Sequence, residues 1–173
     1  MISVNKPELK DKEKIRELLT VSIGDTFDKN NVTRLCEVTD EVEEKMRLLD
    51  DYYNSKQRET YFLIAREEIK VVGVIACFPI SNTIKQNVTE CTNNDTEIGC
   101  VYIHPEYQKN GIGLLLYNEI NEYLKCIGIR KCYLSAGFIT SQNYWKKKLG
   151  EPQFILENMW GNGFHELVWK III

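Results

Sequence analysis

The sequence predicts one α+β domain over residues 1–173, and three observations carry that expectation. Apolar residues recur at helical 3,4 spacing through the first third of the chain. The middle then changes to short runs of β-branched and aromatic residues, the signature of strands. No internal repeat, low-complexity segment or Pro/Gly-rich linker separates the two patterns. A chain of 173 residues buries roughly 70% of its unfolded surface and needs no disulfide or metal to hold it together.

The elements follow in order. Residues 1–5 (MISVN) form a short first strand. From Asp11 the pattern is helical, with Ile15, Leu18, Leu19 and Ile23 on one side and Lys and Glu between them. A second helix starts at Thr39 or Asp40, where Asp40 and Glu43 resemble a capping box. It runs to Ser55 with Val42, Met46, Leu49 and Tyr53 on one face. TYFLIARE and IKVVGVIACFPI flank a charged turn at Glu67–Glu68 and read as a hairpin. Residues 81–95 are polar and Asn/Thr-rich, a loop longer than most hairpin connections. TEIGCVYIHP is a strand stopped by Pro105. IGLLLYNEINEYLKCIG is an amphipathic helix in which Leu116, Ile120, Tyr123 or Leu124, and Ile127 make the buried stripe. Gly128 suits its C-terminal left-handed position. IRKCYLS is a strand, SQNYWKKKLG a short helix ended by Gly150, and QFILEN and FHELVWKIII are closing strands.

Composition narrows the function. The chain is 43% hydrophobic and 27% charged, with a net charge of -3 and a pI near 5.5, and it has no basic run. A general nucleic-acid binder is not expected. The N-terminus MISVNKPELKDKEK lacks a hydrophobic signal core, and the longest apolar run, VVGVIACFPI, is about half a membrane span. A soluble protein without a membrane partner is expected. The six cysteines, Cys36, Cys77, Cys91, Cys100, Cys126 and Cys132, form no C-x-x-C and have no paired histidines, which argues against zinc. Several sit in apolar runs and read as buried reduced thiols, which suits the cytoplasm.

The informative stretch is YIHPEYQKNGIGLLLYNEI, a strand that stops and a helix that starts with Gly111 and Gly113 between them. Each glycine in a helix costs roughly 1 kcal/mol relative to alanine, so two at a helix start need a reason. Either the turn requires positive φ, or the backbone must come close to a ligand. A helix N-terminus offers free N–H groups and a partial positive charge, and glycines let that turn approach phosphate oxygens. Gln108 to Leu114 could therefore cradle a pyrophosphate, with Lys109 adding charge; a tight strand-to-helix turn is the alternative. The P-loop pattern fails because no Gly-Lys-Ser/Thr follows, and G-x-G-x-x-G fails because Leu116 stands at its third glycine.

Gln108-Lys109-Asn110-Gly111-Ile112-Gly113, led in by VYIHPEYQ, resembles the pyrophosphate-binding signature of the GNAT superfamily of N-acetyltransferases: Arg or Gln, two residues, Gly, one residue, then Gly or Ala. The element order resembles that family's across nearly the whole chain. The resemblance implies a mixed central sheet of about six or seven strands flanked by about four helices. It also implies acetyl-CoA as donor, an amine acceptor, and a pyrophosphate loop formed by Gln108, Lys109, Asn110, Gly111, Ile112, Gly113 and Leu114. Backbone amides of Val101, Tyr102 and Ile103 would face the pantetheine arm and the thioester, with the neighbouring strand IRKCYLS splayed away to admit the arm. A monomer or homodimer is expected.

Acetyl transfer to an amine sets chemical demands. An alkylamine with a pKa near 10.4 must lose a proton before it attacks. The thioester oxygen needs a hydrogen-bond donor as charge develops on it. The thiol leaving group has a pKa near 8.5. Several family members place a catalytic glutamate eleven residues before the signature, a spacing that falls on Glu97 at the start of its strand. Partial burial would raise its pKa and suit it to act as base; a surface glutamate is the alternative.

The family's thiol-protonating Tyr is displaced here. Aligned on Leu149-Gly150 it falls on Lys146, and aligned on Ser141 it falls on Trp145. Tyr144 is adjacent to both and is the candidate acid, with packing as its competing role. The family's preceding Asn is replaced by Phe138 or Ile139. The two histidines, His104 and His165, read as structural or surface groups. The first two helices are acidic (Asp25, Asp28, Glu37, Asp40, Glu41, Glu43, Glu44, Asp50, Asp51), which fits a cationic acceptor or a solvated helix face. The loop 81–95 and ENMWGNGFH are candidates to close the pocket. Two further readings remain open: a non-catalytic acyl-CoA-binding module, kept alive by the missing Asn and Tyr, and an unrelated nucleotide-binding α/β protein with a chance glycine turn.

Overall fold

The computed structural model describes residues 1–31, 35–54 and 59–173, with the side chains of all of them except 35–37. The strands are β1 (Ile2–Asn5), β2 (Tyr61–Glu67), β3 (Lys70–Pro79), β4 (Thr96–Ile103), β5 (Lys131–Ala136), β6 (Phe154–Leu156) and β7 (Glu166–Ile172). They form one seven-stranded sheet in the order β1-β2-β3-β4-β5-β7-β6. Every neighbouring pair is antiparallel except β4 and β5, which are parallel. The helices are α1 (Lys12–Lys29), α2 (Leu35–Asn54), α3 (Asn82–Asn87), α4 (Ile112–Cys126) and α5 (Ile139–Leu149).

Alternation along the strands sends side chains to two faces. One face packs Leu63, Ile75, Ile98 and Leu134 against Leu116, Ile120 and Leu124 of α4 and Trp145 of α5. The other packs Phe62, Ile64 and Val74 against Ile15, Leu19 and Ile23 of α1 and Val42, Met46 and Leu49 of α2. Each such fully buried side chain contributes about 1.5–3 kcal/mol of transfer free energy. A smaller cluster on this second face seats Ile84 of α3 on Tyr133 and Val168. Near the start of α1, Asp11 is buried and paired with Arg66 of β2. Its carboxylate also accepts from the Glu8 N–H at 2.7 Å. Burial opposes the charge on Asp11, but the Arg66 and Glu8 bonds win and hold its carboxyl below the usual range.

The expected α+β architecture is present, and all seven expected strands form. Four details differ. The second helix begins by Leu35, so Asp40 and Glu43 lie inside it and make no N-terminal capping box; Glu43 instead pairs with Arg16 across to α1. Its expected last residue, Ser55, lies outside the described residues. The stretch 81–95 is not all loop, because Ser81 caps α3, a helix beyond the four expected. The hairpin turn falls at Glu68–Ile69, one residue later than read, with Glu68 at φ +53°. Ile127 lies past the end of α4 and is 53% exposed, so the buried stripe ends at Leu124. Gly128 does take the left-handed conformation, at φ +82°. Cys77, Cys100 and Cys132 are buried free thiols, Cys91 is half-buried, Cys126 is exposed, and the side chain of Cys36 lies outside the described residues. Among the described residues no helix is long and apolar enough to cross a membrane, and no group of three or more His, Cys, Asp or Glu could hold a metal ion.

Candidate active site

The two glycines of the strand-to-helix junction have different jobs. Gly111 is the N-cap of α4 with φ +81°, and a Cβ there would meet nothing within 4 Å. Left-handed geometry, not crowding, therefore demands glycine at 111. Lys109 takes φ +64°, so left-handed residues alternate along the turn and form a concave backbone. Gly113 sits in the first helical turn, where a Cβ would lie 2.9 Å from the Tyr144 hydroxyl oxygen. Ile112, Gly113 and Leu114 open the helix, so their N–H groups have no acceptor within it. Gln108 is turned away from the turn: its amide donates to Asp25 at 3.1 Å and to the Ile103 carbonyl at 3.2 Å, and it accepts from Lys29 at 2.9 Å. That side chain braces the loop on α1. Asn110 and Lys109 are exposed.

Just before the loop, β4 and β5 part. They pair only over Thr96↔Cys132, Glu97↔Tyr133 and Ile98↔Leu134, although β4 continues to Ile103 and β5 to Ala136. The register with β3 shifts in the same place, and Cys100 takes φ +53°, a β-bulge that bends β4 away. The His104 N–H donates to Val72 of β3 at 2.9 Å. By alternation the Ile103 N–H then points to the other side, into the opening. Val101 and Ile103 are half-buried against the α4 face. Tyr102 points to the opposite face, where its hydroxyl donates to Glu41 at 2.9 Å. Burial pushes the Cys100 thiol up to about 12, so it stays neutral.

Glu97 is 6% exposed on the α2 side of the sheet. The Ser81 N–H donates to one carboxylate oxygen at 3.0 Å and the Ser135 hydroxyl to the other at 3.2 Å. Burial raises its pKa above the ordinary value, against those hydrogen bonds and the nearby Lys45 ammonium. Tyr144 stands on the opposite face, half-buried between the first turn of α4 and the ring of Trp145, whose centroid is 4.9 Å away. Burial raises its phenol pKa and keeps the proton on it. Trp145, 4% exposed, is the aromatic anchor of α5, and Tyr144 packs beside it against the same cluster. His104 accepts from the Glu106 N–H at 3.3 Å and His165 from the Asn158 N–H at 3.0 Å, both bracing turns.

Much of the acidic surface is neutralised locally. Asp25 pairs with Lys29, Glu43 with Arg16, Asp50 with Lys12, and Glu41 and Glu44 with Lys45. The side chain of Glu37 lies outside the described residues. Asp51 instead lines a cleft of about 430 Å³ with Glu59, Leu48, Phe78 and Pro79. Phe78 is the cross-strand neighbour of Glu97, so the cleft borders the candidate base on its own face.

Sequence reasoning missed the surroundings of Glu97. Glu166 of β7 is 5% exposed on the same face and accepts from the Trp160 indole N–H. Ser135 lies between the two carboxyls. The only signal in the chain was Glu166 itself, an acid at an inward position of a strand.

The sequence model of the Acetyltransferase (GNAT) family matches residues 29–150. The chain belongs to that family. Its fold is similar to that of a PaiA N-acetyltransferase from Thermoplasma acidophilum in complex with coenzyme A, with a TM-score of 0.75, 20% identity, and 100% of this chain and 99% of that one covered. It is also similar to a ribosomal-protein-alanine N-acetyltransferase from Brucella melitensis, at TM-score 0.71 and 16% identity over 99% of both chains. A Salmonella typhimurium acetyltransferase structure with its cofactor acetyl-CoA superposes at TM-score 0.69 and 12% identity, over 99% of this chain and 93% of that one. A comparison with curated proteins finds no match.

Proposed function

We propose that this chain moves the acetyl group of acetyl-CoA directly to a primary amine of a small molecule or peptide. One observation carries the reading: a buried carboxyl, Glu97, lies on the strand that both opens away from β5 and leads into a helix N-terminus with free amides. The residues present fit the coenzyme. The left-handed turn and the free amides of Ile112 to Leu114 suit a pyrophosphate, and the β4–β5 opening suits an extended arm. Acetyl-CoA, when bound, supplies an activated acetyl thioester.

The chain's own groups supply the rest. Glu97 takes a proton from the acceptor ammonium, which frees the nitrogen lone pair for attack on the acetyl carbon. Its raised pKa narrows the gap to the amine and makes the transfer less uphill. The Ile103 N–H, which faces the opening, offers a donor to the carbonyl oxygen, whereas the His104 N–H is taken by Val72 of β3. Tyr144 is the donor for the departing sulfur, protonated and beside Gly113. The free buried thiols support a reducing compartment, the cytoplasm. Asp51 and Glu59 in the cleft beside Phe78 favour an acceptor with a second positive charge, such as a polyamine, an aminoglycoside or a basic peptide.

The test is release of free thiol from acetyl-CoA with a panel of such amines, run in parallel on Glu97→Gln. Turnover with one class and its loss in the variant are expected. Tight acetyl-CoA binding without turnover on any amine would instead favour a binding module.

A further inference from the structure

We propose that Trp160 is a specificity-determining residue for the acceptor, an indole wall for its alkylammonium group, and that the buried Glu166 is the positioning residue that holds this ring in place. This deepens the reading of an amine acceptor beside Glu97 and rests on it.

The path from Glu97 to the indole is continuous along β5. The Ser135 hydroxyl donates to Glu97 at 3.2 Å. Gly137 lies two residues beyond Ser135, where strand alternation returns to the same face. It is also past Leu134, the last β5 residue paired with β4, so it borders the opening. A Cβ on Gly137 would stand 3.0 Å from Trp160 Nε1, 3.3 Å from the indole Cδ1 and 2.7 Å from Glu166 Oε2. Glycine is required there because the indole and the carboxyl fill the space of a side chain. The β7 register agrees: Ser135 pairs with Val168, and Glu166 lies two residues from Val168, on the face of Glu97.

The ring is large, exposed and fixed. Trp160 is 61% exposed, whereas Trp145 and Trp169 are 4% and 1%. Exposed side chains ordinarily change rotamer within nanoseconds, but the Trp160 indole N–H donates to Glu166 at 2.5 Å, a carboxyl that is 5% exposed. The loop that carries the ring is closed on itself. The Trp160 backbone N–H donates to the Phe164 carbonyl at 3.1 Å, and the Asn158 side chain accepts from the Gly163 N–H at 2.8 Å. Gln142 of α5 donates to the Gly137 and His165 carbonyls at 3.1 and 2.9 Å, which ties the end of β5 to the start of β7. On the other side of Glu97, the Phe78 ring of β3 lies over Gly99 of β4 in the same manner, 2.9 Å from where a Cβ would be. An aromatic face attracts an ammonium group, and indole does so best. A ring held before binding also loses little freedom when the acceptor arrives.

The first experiment is acrylamide quenching of tryptophan fluorescence on the full chain saturated with coenzyme A. Of the three tryptophans only Trp160 is exposed, so the quenchable emission is its own and is expected to vanish in Trp160→Leu. The probes are butane-1,4-diamine, kanamycin and trilysine, with butane-1,4-diol as the uncharged control. At least one amine is expected to shield the ring and lower the quenching constant, while the diol leaves it unchanged. No shielding by any of the three, or equal shielding by the diol, overturns the proposal. With an amine that turns over, Trp160→Leu is expected to raise the acceptor KM about three- to thirtyfold, with a smaller change in kcat. Glu166→Ala releases the ring and is expected to raise KM in the same direction. Glu166→Gln, whose amide oxygen still accepts the indole N–H, is expected to restore it. Adding Glu166→Ala to Trp160→Leu is expected to change KM no further; additive rises overturn the positioning role. An unmoved KM in Trp160→Leu, with turnover abolished in Glu97→Gln, overturns this proposal alone. Shielding of Trp160 without turnover on any amine upholds the indole wall and overturns acetyl transfer.

Discussion

The glycine turn at α4 and the buried carboxyls beneath α2 are the two halves of the proposed site, built in opposite ways. The turn is six consecutive residues, Gln108 to Gly113, and works through backbone: left-handed φ at Lys109 and Gly111, and free amides at the helix start. The pair is assembled from β4, β5 and β7 and works through side chains that only the sheet brings together. They also lie on different faces, Tyr144 and Gly113 on the α4 side and Glu97 and Glu166 on the α2 side. Between them β4 and β5 part. In the proposed reading, a donor held from one face and an acceptor activated from the other meet at that gap.

The comparison can be broken at either half. The largest effect is expected from Glu97→Gln: kcat should fall about 10²–10⁴-fold, while calorimetry shows acetyl-CoA affinity unchanged. A fall in affinity instead would mean that the two halves are not separable. Gly111→Val should do the reverse. Coenzyme affinity is expected to drop several hundredfold or more, over ~3.5 kcal/mol, against a stability loss of about 1–2 kcal/mol for a left-handed non-glycine residue, measured by urea unfolding. Equal losses in both would leave only a turn.

Gly113 sharpens the comparison, since its reason is the Tyr144 hydroxyl 2.9 Å from where a Cβ would be. Gly113→Ala should cost about 1 kcal/mol, and Tyr144→Phe, which removes the oxygen, should recover most of it in the double variant. Additive losses would show that the two residues do not meet.

The smallest effect is on stability against pH. The folded pKa of Glu97 is raised, so the folded chain binds more protons than the unfolded one. Its contribution is fully present below the unfolded carboxylate value and is lost as pH rises through the folded one. Asp11, held ionised by Arg66 and the Glu8 N–H, has a lowered folded value and acts in the opposite sense, losing stability as pH falls. Glu97→Gln is therefore expected to gain more thermal stability, relative to wild type, at pH 8 than at pH 4. An equal gain at both would mean that the carboxyl is not buried in its charged form.

What was legible in the sequence follows the same division. The helix stripes at Ile15, Leu18, Leu19 and Ile23 and at Leu116, Ile120 and Leu124 are local periodicities, and so were readable. The six-residue turn was readable for the same reason, down to the need for glycine at 111. Gly113 was read as giving room to a phosphate, and its contact with Tyr144 could not be seen, because α5 arrives from elsewhere in the chain. Asp40 and Glu43 resembled a cap because an i, i+3 acidic pair also suits a helix interior that reaches across to Arg16. Ser81, α3 and Trp160 sit in polar stretches with no period at all. Their roles depend on tertiary contacts with Glu97 and Glu166, which no local pattern encodes.

The most direct test of the account compares acetyl-CoA with S-acetylpantetheine, which lacks the pyrophosphate and the nucleotide, by calorimetry on wild type and Gly111→Val. The substitution is expected to weaken acetyl-CoA and to leave the affinity for the truncated thioester unchanged, because only the first reaches the α4 turn. Equal weakening of both, or no weakening of acetyl-CoA, would contradict a pyrophosphate held by that turn.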